Sequence, residues 1–486
     1  MRVRFSPNHM GIVAGTLVDG IDRRPLHRQH CRVMEPESLS SVLACPRCGR
    51  GPVTSERAGW MCAACSSGFP VVGEVPWLFA EPRQSLAEWR DRLSLLTRHL
   101  AFESAAMRAA RQTTGLTDAT VARLEHTAFG YDDQIARLRA LLAPLGLDQA
   151  TMSEATHRGL GTRLPAQQGL TNYYVNVHRD WCWGGEENAL SLGEIRAACG
   201  GALTGFGRTL VQGAGAGRLA YDLHQASDAT LTAATDFNPL LLFVAREMFA
   251  GRALQLYEFP ISTRHCGDQA ILRTLESPGA ARAGLVAVAA DALQPPFADG
   301  AFDTVVTPWF IDIIGEPFTT VASRINLLLK PGGRWINFGS LAFERAAHAE
   351  RVTHEEVVQL LPRCGFGAPD MIENPIPYMR SPASPHSRVE TVLTWVTRKL
   401  GEPAEKPRAR VLPEWLVDGD LPVPRTPALE IEAISSRVHA FLLALINGER
   451  SQRDMARVIV EQRLMSPQEA EPAVRAFLTR LHEDSQ

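Results

Sequence analysis

The central part of the sequence, residues 205–400, predicts an open α/β domain with a mostly parallel sheet. Strand-like apolar runs alternate there with helix-like patterns, which is typical of doubly wound α/β folds. A glycine-rich turn (Gly213, Gly215, Gly217) joins the first run to a helical pattern, and Asp236 closes the next run. Such a turn lets the backbone approach a ligand closely at the carboxyl ends of the strands. The sequence therefore predicts a ligand site at that edge of the sheet.

Seven short apolar runs predict the strands of this domain. No helical pattern separates the last two runs, which predicts that the final strand is antiparallel to its neighbours. We place the strands near 208–212, 230–235, 285–290, 303–307, 333–338, 368–373 and 390–398.

The order of the motifs favours one class of this fold. QGAGAG is followed by Asp236, by Asp291 at the end of LVAVAAD, by TPWFID and by KPGGRWINFG. A dinucleotide-binding fold also has a glycine turn followed by an acidic residue. The whole series, however, resembles that of the class I S-adenosylmethionine (SAM) methyltransferases. This resemblance implies a seven-stranded, Rossmann-like methyltransferase sheet with SAM as cofactor.

Within that class, the sequence resembles the carnosine N-methyltransferase family over roughly residues 170–400. The most specific segments are RDW at 179–181, WFID at 309–312 and KPGGRWINFG at 330–339. The resemblance implies a SAM-dependent N-methyltransferase that acts on an imidazole in a small molecule or peptide. The family has a Tyr-His pair where this chain has Phe343-Glu344, so the substrate half of the site departs from the family pattern.

Cofactor-binding residues are predicted on both sides of the glycine turn. Asp236 is expected to bind the ribose hydroxyls, a role compatible with capping the next helix. Asp291 is expected to meet the adenine amino group, although a turn before Pro295 would also use this aspartate. The family resemblance implies that Asn176 and Arg179 contact the cofactor, since an arginine can pair with its carboxylate. The predicted cofactor residues are Asn176, Arg179, Gly213, Gly215, Gly217, Asp236, Asp291, Ala292 and Pro308.

Asp312 is the predicted catalytic residue. It follows the fourth strand in an otherwise apolar run, where an unpaired carboxylate is costly. In the carnosine family the matching aspartate holds an imidazole, and accepting its N–H would aim the other nitrogen at the methyl group. Capping of the next helix before Glu316 is the alternative role. The predicted substrate-binding residues are Asp312, Phe343, Glu344, Tyr378 and His386.

Residues 43–80 predict a zinc ribbon. Cys45-x-x-Cys48 and Cys62-x-x-Cys65 are separated by 13 residues, a spacing that suits two knuckles around a tetrahedral thiolate site. So small a unit needs a metal to supply folding energy, and with four protein ligands the Zn²⁺ would be structural. The segment is similar to small bacterial zinc ribbons. On this interpretation, Cys62→Ser would destabilise the ribbon and leave SAM affinity largely intact.

The remaining segments predict helical and irregular structure. Residues 1–42 are expected to be disordered, or to include a translated upstream region ahead of a biological start at Met34. Helical periodicity predicts a cap over 83–204. A proline-rich linker at 401–427 precedes a small helical domain at 428–486, which resembles winged-helix-like modules of peptide-modification systems or a generic three-helix unit. That domain is the expected site for a peptide or protein partner.

Composition limits the classes of partner and the compartment. A chain of 486 residues with 45% hydrophobic residues predicts several globular domains. The net charge of −3 gives no reason to expect nucleic acid or an anionic membrane as a partner. No apolar run reaches the roughly 18–20 residues of a membrane span. Nine cysteines, four of them in paired spacing, indicate a reducing cytoplasm and a metal site.

Two other functions stay open on the sequence alone. An rRNA base methyltransferase would fit a zinc ribbon ahead of a class I domain, because the arrangement resembles bacterial rRNA guanine methyltransferases, but it would need a basic face. A non-catalytic SAM-fold scaffold in a biosynthetic complex would be indicated by loss of Asp236 and Asp291, and both are present. We therefore expect SAM-dependent N-methylation of an imidazole compound or peptide.

Overall fold

The computed structural model describes residues 39–50, 52–56, 59–150, 170–343, 348–407 and 420–483. The predicted N-terminal segment up to residue 38, the predicted substrate residue Glu344 and residues 408–419 of the predicted linker therefore lie outside the described residues. The chain divides into two compact units, 1–409 and 410–486.

The strands form a four-stranded, a seven-stranded and a two-stranded sheet in the described part of the chain. They are β1 (Val53–Glu56), β2 (Gly59–Cys62), β3 (Gly68–Val72), β4 (Val75–Pro76), β5 (Arg208–Gln212), β6 (Leu231–Asp236), β7 (Leu254–Glu258), β8 (Ile271–Leu275), β9 (Leu285–Ala289), β10 (Phe302–Pro308), β11 (Leu329–Gly339), β12 (Asp370–Tyr378) and β13 (Arg388–Arg398).

The helices precede the large sheet, connect its strands and build the second unit. They are α1 (Pro82–Ala110), α2 (Asp118–Leu141), α3 (Leu170–His178), α4 (Gly185–Ala198), α5 (Arg218–Ala226), α6 (Pro239–Phe249), α7 (Phe318–Leu328), α8 (His354–Leu360), α9 (Pro427–Leu445), α10 (Gln452–Glu461) and α11 (Pro467–Glu483). Within the described ranges, none of them is both long and apolar enough to cross a membrane.

The large sheet has the order β12-β13-β11-β10-β5-β6-β9. Only β13 runs antiparallel to its neighbours, β11 and β12. This topology confirms the predicted seven-stranded sheet with an antiparallel final strand. From the central pair β5 and β10, successive strands are added outward in opposite directions. Ligands of such sheets bind at the carboxyl ends of the strands beside this switch in direction, so the site is expected there.

Local sequence explains how the first two strands end. β5 is buried on both faces and leads into the glycine turn, after which α5 begins at Arg218. α6 begins at Pro239 with Asn238 as its N-cap, whose side chain accepts a hydrogen bond from the Leu240 N–H. Asp236 is therefore not the cap of this helix, and its carboxylate serves the glycine turn instead.

The hairpin of β7 and β8 lies between α6 and β9 and was not predicted. Its strands pair with each other and not with the large sheet, and each has an exposed or half-buried residue at two or more of its five positions. A two-stranded unit with charged side chains gives a weaker apolar signal than a strand buried on both faces.

The start of the predicted linker is attached to the larger unit. Gly401 N–H donates to Gly365 O (3.1 Å), Ala404 N–H donates to Arg363 O (2.9 Å), and Gly401 O accepts from the Asn326 side chain (3.0 Å). The linker prediction at 401–427 is therefore wrong for its first residues, since these backbone groups are bonded to the domain.

The second unit consists of α9, α10 and α11 within residues 420–483, where no strand occurs. Its small core includes Leu442, Met455, Ile459 and Val474. Ser451 begins α10 with a capping box in which its hydroxyl accepts from the Asp454 N–H. The described residues thus form a three-helix unit.

Candidate active site

The glycine turn after β5 is shaped by contacts that exclude larger side chains. Gly213, Gly215 and Gly217 all have positive φ angles, of 71°, 58° and 88°. A Cβ atom at Gly213 would lie 2.4 Å from the Phe310 ring, and one at Gly217 would lie 2.7 Å from Phe249. A Cβ atom at Gly215 would meet no described atom within 4 Å. The turn is thus backed by protein at both ends and open in the middle, which fits a cofactor that approaches the backbone.

Two aspartates stand beside this turn at the carboxyl ends of β6 and β9. Asp236 accepts hydrogen bonds from the Gly215 and Asn238 N–H groups, each at 2.9 Å. Burial raises the pKa of Asp236, and these backbone donors oppose that shift. Asp291 accepts from the Leu293 N–H (2.8 Å), so it forms the turn that the sequence offered as its alternative role. The turn uses one carboxylate oxygen, Oδ1.

The RDW segment forms a single π-helical turn, Arg179–Trp183, between α3 and α4. Gly184 N–H donates to Arg179 O (3.0 Å), and a Cβ atom at Gly184 would lie 2.3 Å from that oxygen. Trp181 Nε1 donates to Ala216 O in the glycine turn (2.8 Å). Arg218 Nη1 donates to Asp180 O (3.0 Å). Isolated π turns often mark functional sites, and this one is fixed directly to the predicted cofactor turn.

Arg179 is held by two acidic side chains. Its Nε and Nη2 contact Asp180 Oδ1 (2.8 and 2.7 Å), and its Nη1 contacts Glu187 Oε1 (3.3 Å). Burial lowers the pKa of Arg179, but the two carboxylates outweigh it and hold that pKa above its usual value. Burial also raises the pKa of Glu187, against the effect of Arg179. All three guanidinium nitrogens thus face carboxylates of the chain, and the Arg179 side chain is 14% exposed.

Asp312 lies on the segment that follows β10 and is 6% exposed. Its Oδ2 accepts from the Ser340 hydroxyl (2.5 Å) and from the Ala342 N–H (3.0 Å), both on the segment after β11. The next helix begins at Phe318 with Pro317 as its N-cap, so Asp312 does not cap it. In the described part of the chain both hydrogen bonds of Asp312 fall on Oδ2, so Oδ1 is open to a ligand there.

Aromatic residues stand between Asp312 and Arg179. Trp309 has a φ of 47°, a conformation that is strained for a large side chain. Its ring lies against Tyr378, with centroids 4.8 Å apart. The Tyr378 ring in turn lies 5.9 Å from the Arg179 guanidinium and 4.6 Å from that of Arg388. Burial raises the pKa of Tyr378. The sequence singled out WFID, but nothing in it predicted the backbone strain at Trp309.

Two buried acids that the sequence did not single out tie the segment after β12 to the rest of the site. Glu187 Oε2 accepts from the Met379 N–H (2.9 Å). Glu258, at the end of β7, accepts from the Ser381 hydroxyl and pairs with Arg273 (2.8 Å). No motif in the sequence surrounds either glutamate, so their contacts are visible only in the folded structure.

Five other predicted site residues form no hydrogen bond with the glycine turn or with Asp312 in the described part of the chain. Phe343 is 1% exposed and packs in the hydrophobic core, so the expectation that it contacts substrate is not supported by its position. His386 is exposed, with Nε2 3.1 Å from the Ser262 hydroxyl. Asn176 is half-buried on α3, and Pro308 is the last residue of β10, paired with Phe338 of β11. Ala292 is half-buried beside Asp291.

The sheet order, the open glycine turn and the acid at the end of β6 define a class I SAM-dependent methyltransferase domain. Residues 204–399 match the family model described as "Carnosine N-methyltransferase". The resemblance predicted from the sequence is thus confirmed as a match of this domain to that family model. The matched range contains the WFID and KPGGRWINFG segments, whereas the RDW segment precedes it. A search of curated proteins finds no match.

Several solved structures are similar to parts of the chain. Phosphoethanolamine N-methyltransferase 2 of Haemonchus contortus is 19% identical over 38% of each chain, with a TM-score of 0.27. N-methyltransferase NodS of Bradyrhizobium japonicum is 15% identical over 47% of this chain and 100% of its own, with a TM-score of 0.31. A "possible histamine N-methyltransferase" of Thermotoga maritima is 14% identical over 48% and 97%, with a TM-score of 0.29. The chain spans less than half the length of the Haemonchus protein.

The pH dependence of SAM binding should report on Asp236. The ionised carboxylate accepts hydrogen bonds from ribose hydroxyls, whereas the protonated acid accepts them poorly. Because burial raises the pKa of Asp236, affinity should be retained above that raised pKa and lost as the pH falls through it. Calorimetric titrations with SAM over a pH series would show the fall beginning above the range of an ordinary aspartate. The Asp236→Ala variant should bind weakly with no such step, and a step of equal size in it would contradict the assignment.

The four cysteines of the predicted ribbon converge on one point. The ligand atoms of Cys45, Cys48, Cys62 and Cys65 all lie within 4.8 Å of one another. Two Sγ pairs, Cys45–Cys65 and Cys48–Cys62, are 3.7 Å apart. Tetrahedral zinc with Zn–S bonds of about 2.3 Å places its sulfurs about 3.8 Å apart, so this thiolate cage fits a zinc ion.

Protein purified without chelator should therefore contain about one zinc ion per chain. Elemental analysis of the full chain measures the content directly. The Cys65→Ser variant should lose most of the metal, whereas Cys266→Ser should retain it, because Cys266 is exposed and lies outside the cage. A content below about half an equivalent in the wild-type protein would count against a zinc site.

Proposed function

We propose that this chain transfers the methyl group of SAM to an imidazole nitrogen of a histidine-containing small molecule or peptide. The observation that carries the proposal is the placement of Asp312 at the carboxyl edge of the sheet, held through one oxygen by Ser340 and Ala342. The match of residues 204–399 to the carnosine N-methyltransferase family model supports N-methylation in general. The imidazole acceptor rests on Asp312.

Asp312 can fix both the tautomer and the direction of an imidazole. The carboxylate accepts the N–H of one ring nitrogen, which leaves the lone pair on the other nitrogen. Methyl transfer is a displacement in which this lone pair must point at the methyl group at near-attack distance. Positive charge develops on the ring as the bond forms, and a carboxylate already held in place stabilises that charge. No general base is needed to create the nucleophile, because neutral imidazole already has a lone pair.

Trp309 and Tyr378 supply the walls of the acceptor site in this proposal. Their rings are in contact, and Tyr378 is linked through its ring to Arg179 on the cofactor side. Flat aromatic side chains suit a planar imidazole and exclude water from the reacting atoms. The dense packing of Phe310 against Gly213 sets the distance between the Asp312 segment and the cofactor turn.

The cofactor is assigned to the opposite side of the same edge. Gly215 would face the amino-acid part of SAM, Asp236 the ribose and Asp291 the adenine. The Arg179 guanidinium would also pair with the methionine carboxylate, with Asn176 one helical turn away. SAM supplies the electrophilic methyl group when bound. The thiolate cage requires reduced cysteines, so a reducing cytoplasm is part of the proposal.

A screen for acceptors tests the reaction class. The purified full chain is incubated with methyl-labelled SAM and with histidine, carnosine, anserine-like dipeptides or short histidine-containing peptides, and products are identified by mass spectrometry. Host extracts serve as a second source of acceptors, and an rRNA transcript tests the base methyltransferase alternative. A labelled methyl group on an imidazole nitrogen supports the proposal. Label found only on RNA or on a group other than imidazole would overturn it.

A further inference from the structure

We propose that the thiolate cage positions the cofactor pocket: a metal bound by Cys45, Cys48, Cys62 and Cys65 holds the segment after β9 in the conformation that receives adenine. The proposal rests on the assignment of SAM to this edge of the sheet. Four contacts between the ribbon, defined as residues 39–80, and the methyltransferase domain carry it.

The first two contacts lie immediately before the cage. Ala44 N–H donates to Pro296 O (3.0 Å), and Ala298 N–H donates to Val42 O (2.9 Å). They form an isolated antiparallel bridge between Leu43 and Phe297. The residue that follows Ala44 is Cys45, the first cysteine of the cage. A shift of the cage would therefore move the backbone that is hydrogen-bonded around Phe297.

The third contact lies at the other end of the ribbon. Trp77 forms a parallel bridge with Ala289, the last residue of β9, and Leu78 N–H donates to Ala289 O (2.8 Å). Trp77 and Leu78 are no more than 1% exposed, and the Trp77 indole donates to the Ser85 hydroxyl (2.8 Å). The ribbon thus pairs with the outer edge of β9, which forms one side of the large sheet.

The segment 290–296 lies between these two attachments. It contains Asp291 and Ala292, the residues assigned to adenine. Ala290 N–H also donates to Asp236 O (3.0 Å), which joins this segment to the ribose-binding strand. The ribbon therefore fixes the adenine segment at both of its ends.

The fourth contact reaches the helix that follows Asp236. Gly73 O, in the turn between β3 and β4, accepts from Arg246 Nη1 on α6 (2.6 Å). A Cβ atom at Gly73 would lie 2.7 Å from the same Arg246 atom and 2.9 Å from Pro144, so the turn fits closely. The ribbon is consequently attached both to β9 and to α6, the helix that follows β6.

The ribbon depends on the cage for its own geometry. Its strands are two to five residues long, and its apolar residues Val53, Trp60 and Phe69 complete a core shared with Val288 and Phe297. Units of this size are ordered largely by their metal. Without the metal, the two ends of segment 290–296 would no longer be held in place. SAM binding would then have to order this segment, and the entropy lost in doing so would lower the affinity. We thus expect weaker SAM binding in cage variants, whereas the sequence alone led to the expectation that Cys62→Ser leaves SAM affinity largely intact.

The test compares SAM affinity, metal content and hydrogen–deuterium exchange of residues 289–298 in the full chain. Cys65→Ser and chelated wild-type protein should bind SAM at least about tenfold more weakly and exchange faster at 289–298, and zinc should restore the chelated protein. Cys266→Ser is the matched control and should equal wild type. Ala298→Pro, which removes the donor to Val42 O, should keep its zinc yet weaken SAM binding.

Two outcomes would overturn the inference. One is equal SAM affinity and equal exchange at 289–298 with and without metal. The other is an Ala298→Pro variant with full zinc content and wild-type affinity. Failure of the proposed function would look different, because SAM would bind normally while no imidazole compound is methylated. The exchange measurement needs neither SAM nor an acceptor. It therefore tests whether the metal orders residues 289–298 even if the proposed methylation of imidazole is wrong.

Discussion

Asp312→Asn should slow methyl transfer by about a hundredfold or more while SAM affinity stays within a few-fold of wild type. The amide can still accept an imidazole N–H, but it lacks the charge that stabilises the developing imidazolium. Asp312 contacts Ser340 and Ala342 and makes no contact with the glycine turn, which is why cofactor affinity should be spared. Single-turnover rates with an acceptor from the screen, together with calorimetric SAM titration, measure the two effects separately.

Asp303→Asn is the matched control for this substitution. Asp303 lies at the opposite end of the same strand, where it accepts from the Arg208 N–H (2.8 Å) and pairs with Lys330 (2.8 Å). Asp303→Asn should lower the stability of the fold and leave the rate of methyl transfer per folded molecule unchanged. Ser340→Ala should give an intermediate rate, because the carboxylate stays charged but loses one of its two hydrogen bonds. A wild-type rate in Asp312→Asn would show that this aspartate only joins the segments after β10 and β11.

Asp236→Ala should lower SAM affinity at least tenfold. Each charge-assisted hydrogen bond to a ribose hydroxyl contributes about 1.5–3 kcal/mol, and the substitution removes two of them. It also removes the acceptor for the Gly215 N–H, which frees the middle of the glycine turn. Isothermal titration calorimetry with SAM and with S-adenosylhomocysteine gives the change directly.

Asp228→Ala separates this effect from a general loss of structure. Asp228 precedes β6 and accepts from the Gly205 and Phe206 N–H groups, each at 2.7 Å. It thus makes the same kind of bonds as Asp236, at the opposite edge of the sheet. We expect Asp228→Ala to lower the melting temperature without changing SAM affinity. Equal affinity losses in the two variants would refute a specific role for Asp236.

The sheet could be predicted from sequence because its signals are local. Strands such as β5, β6 and β10 are buried on both faces and so appear as continuous apolar runs. Positive φ angles at Gly213 and Gly217 need glycine, so the turn is also visible in the sequence. Residues that follow these strands fall at one edge by topology alone, which is why Asp236 and Asp312 could be proposed as site residues.

The remaining features depend on contacts between distant segments. Glu187 contacts Met379, which lies 192 residues further along the chain, and Trp77 of the ribbon pairs with Ala289 of β9. No local pattern specifies such a pair. The strained φ of Trp309 is imposed by its neighbours, since Gly339 backs it and its N–H donates to Phe338 O (2.7 Å). The burial of Phe343 depends on distant contacts in the same way, because alignment with the family pattern carries no information about how its ring packs.

The residues assigned to SAM and those assigned to the acceptor lie on different halves of the sheet, which we call its two wings. The segments after β5, β6 and β9 carry the residues assigned to SAM, and those after β10, β11 and β12 carry the residues assigned to the acceptor. Apart from the contacts of Phe310 with Gly213 and of Tyr378 with Arg179, substitutions in one wing should therefore have little effect on the other. A change of acceptor during evolution would need new residues on only three segments. Exchanging those segments between relatives is a practical route to enzymes that keep the cofactor and methylate different nucleophiles.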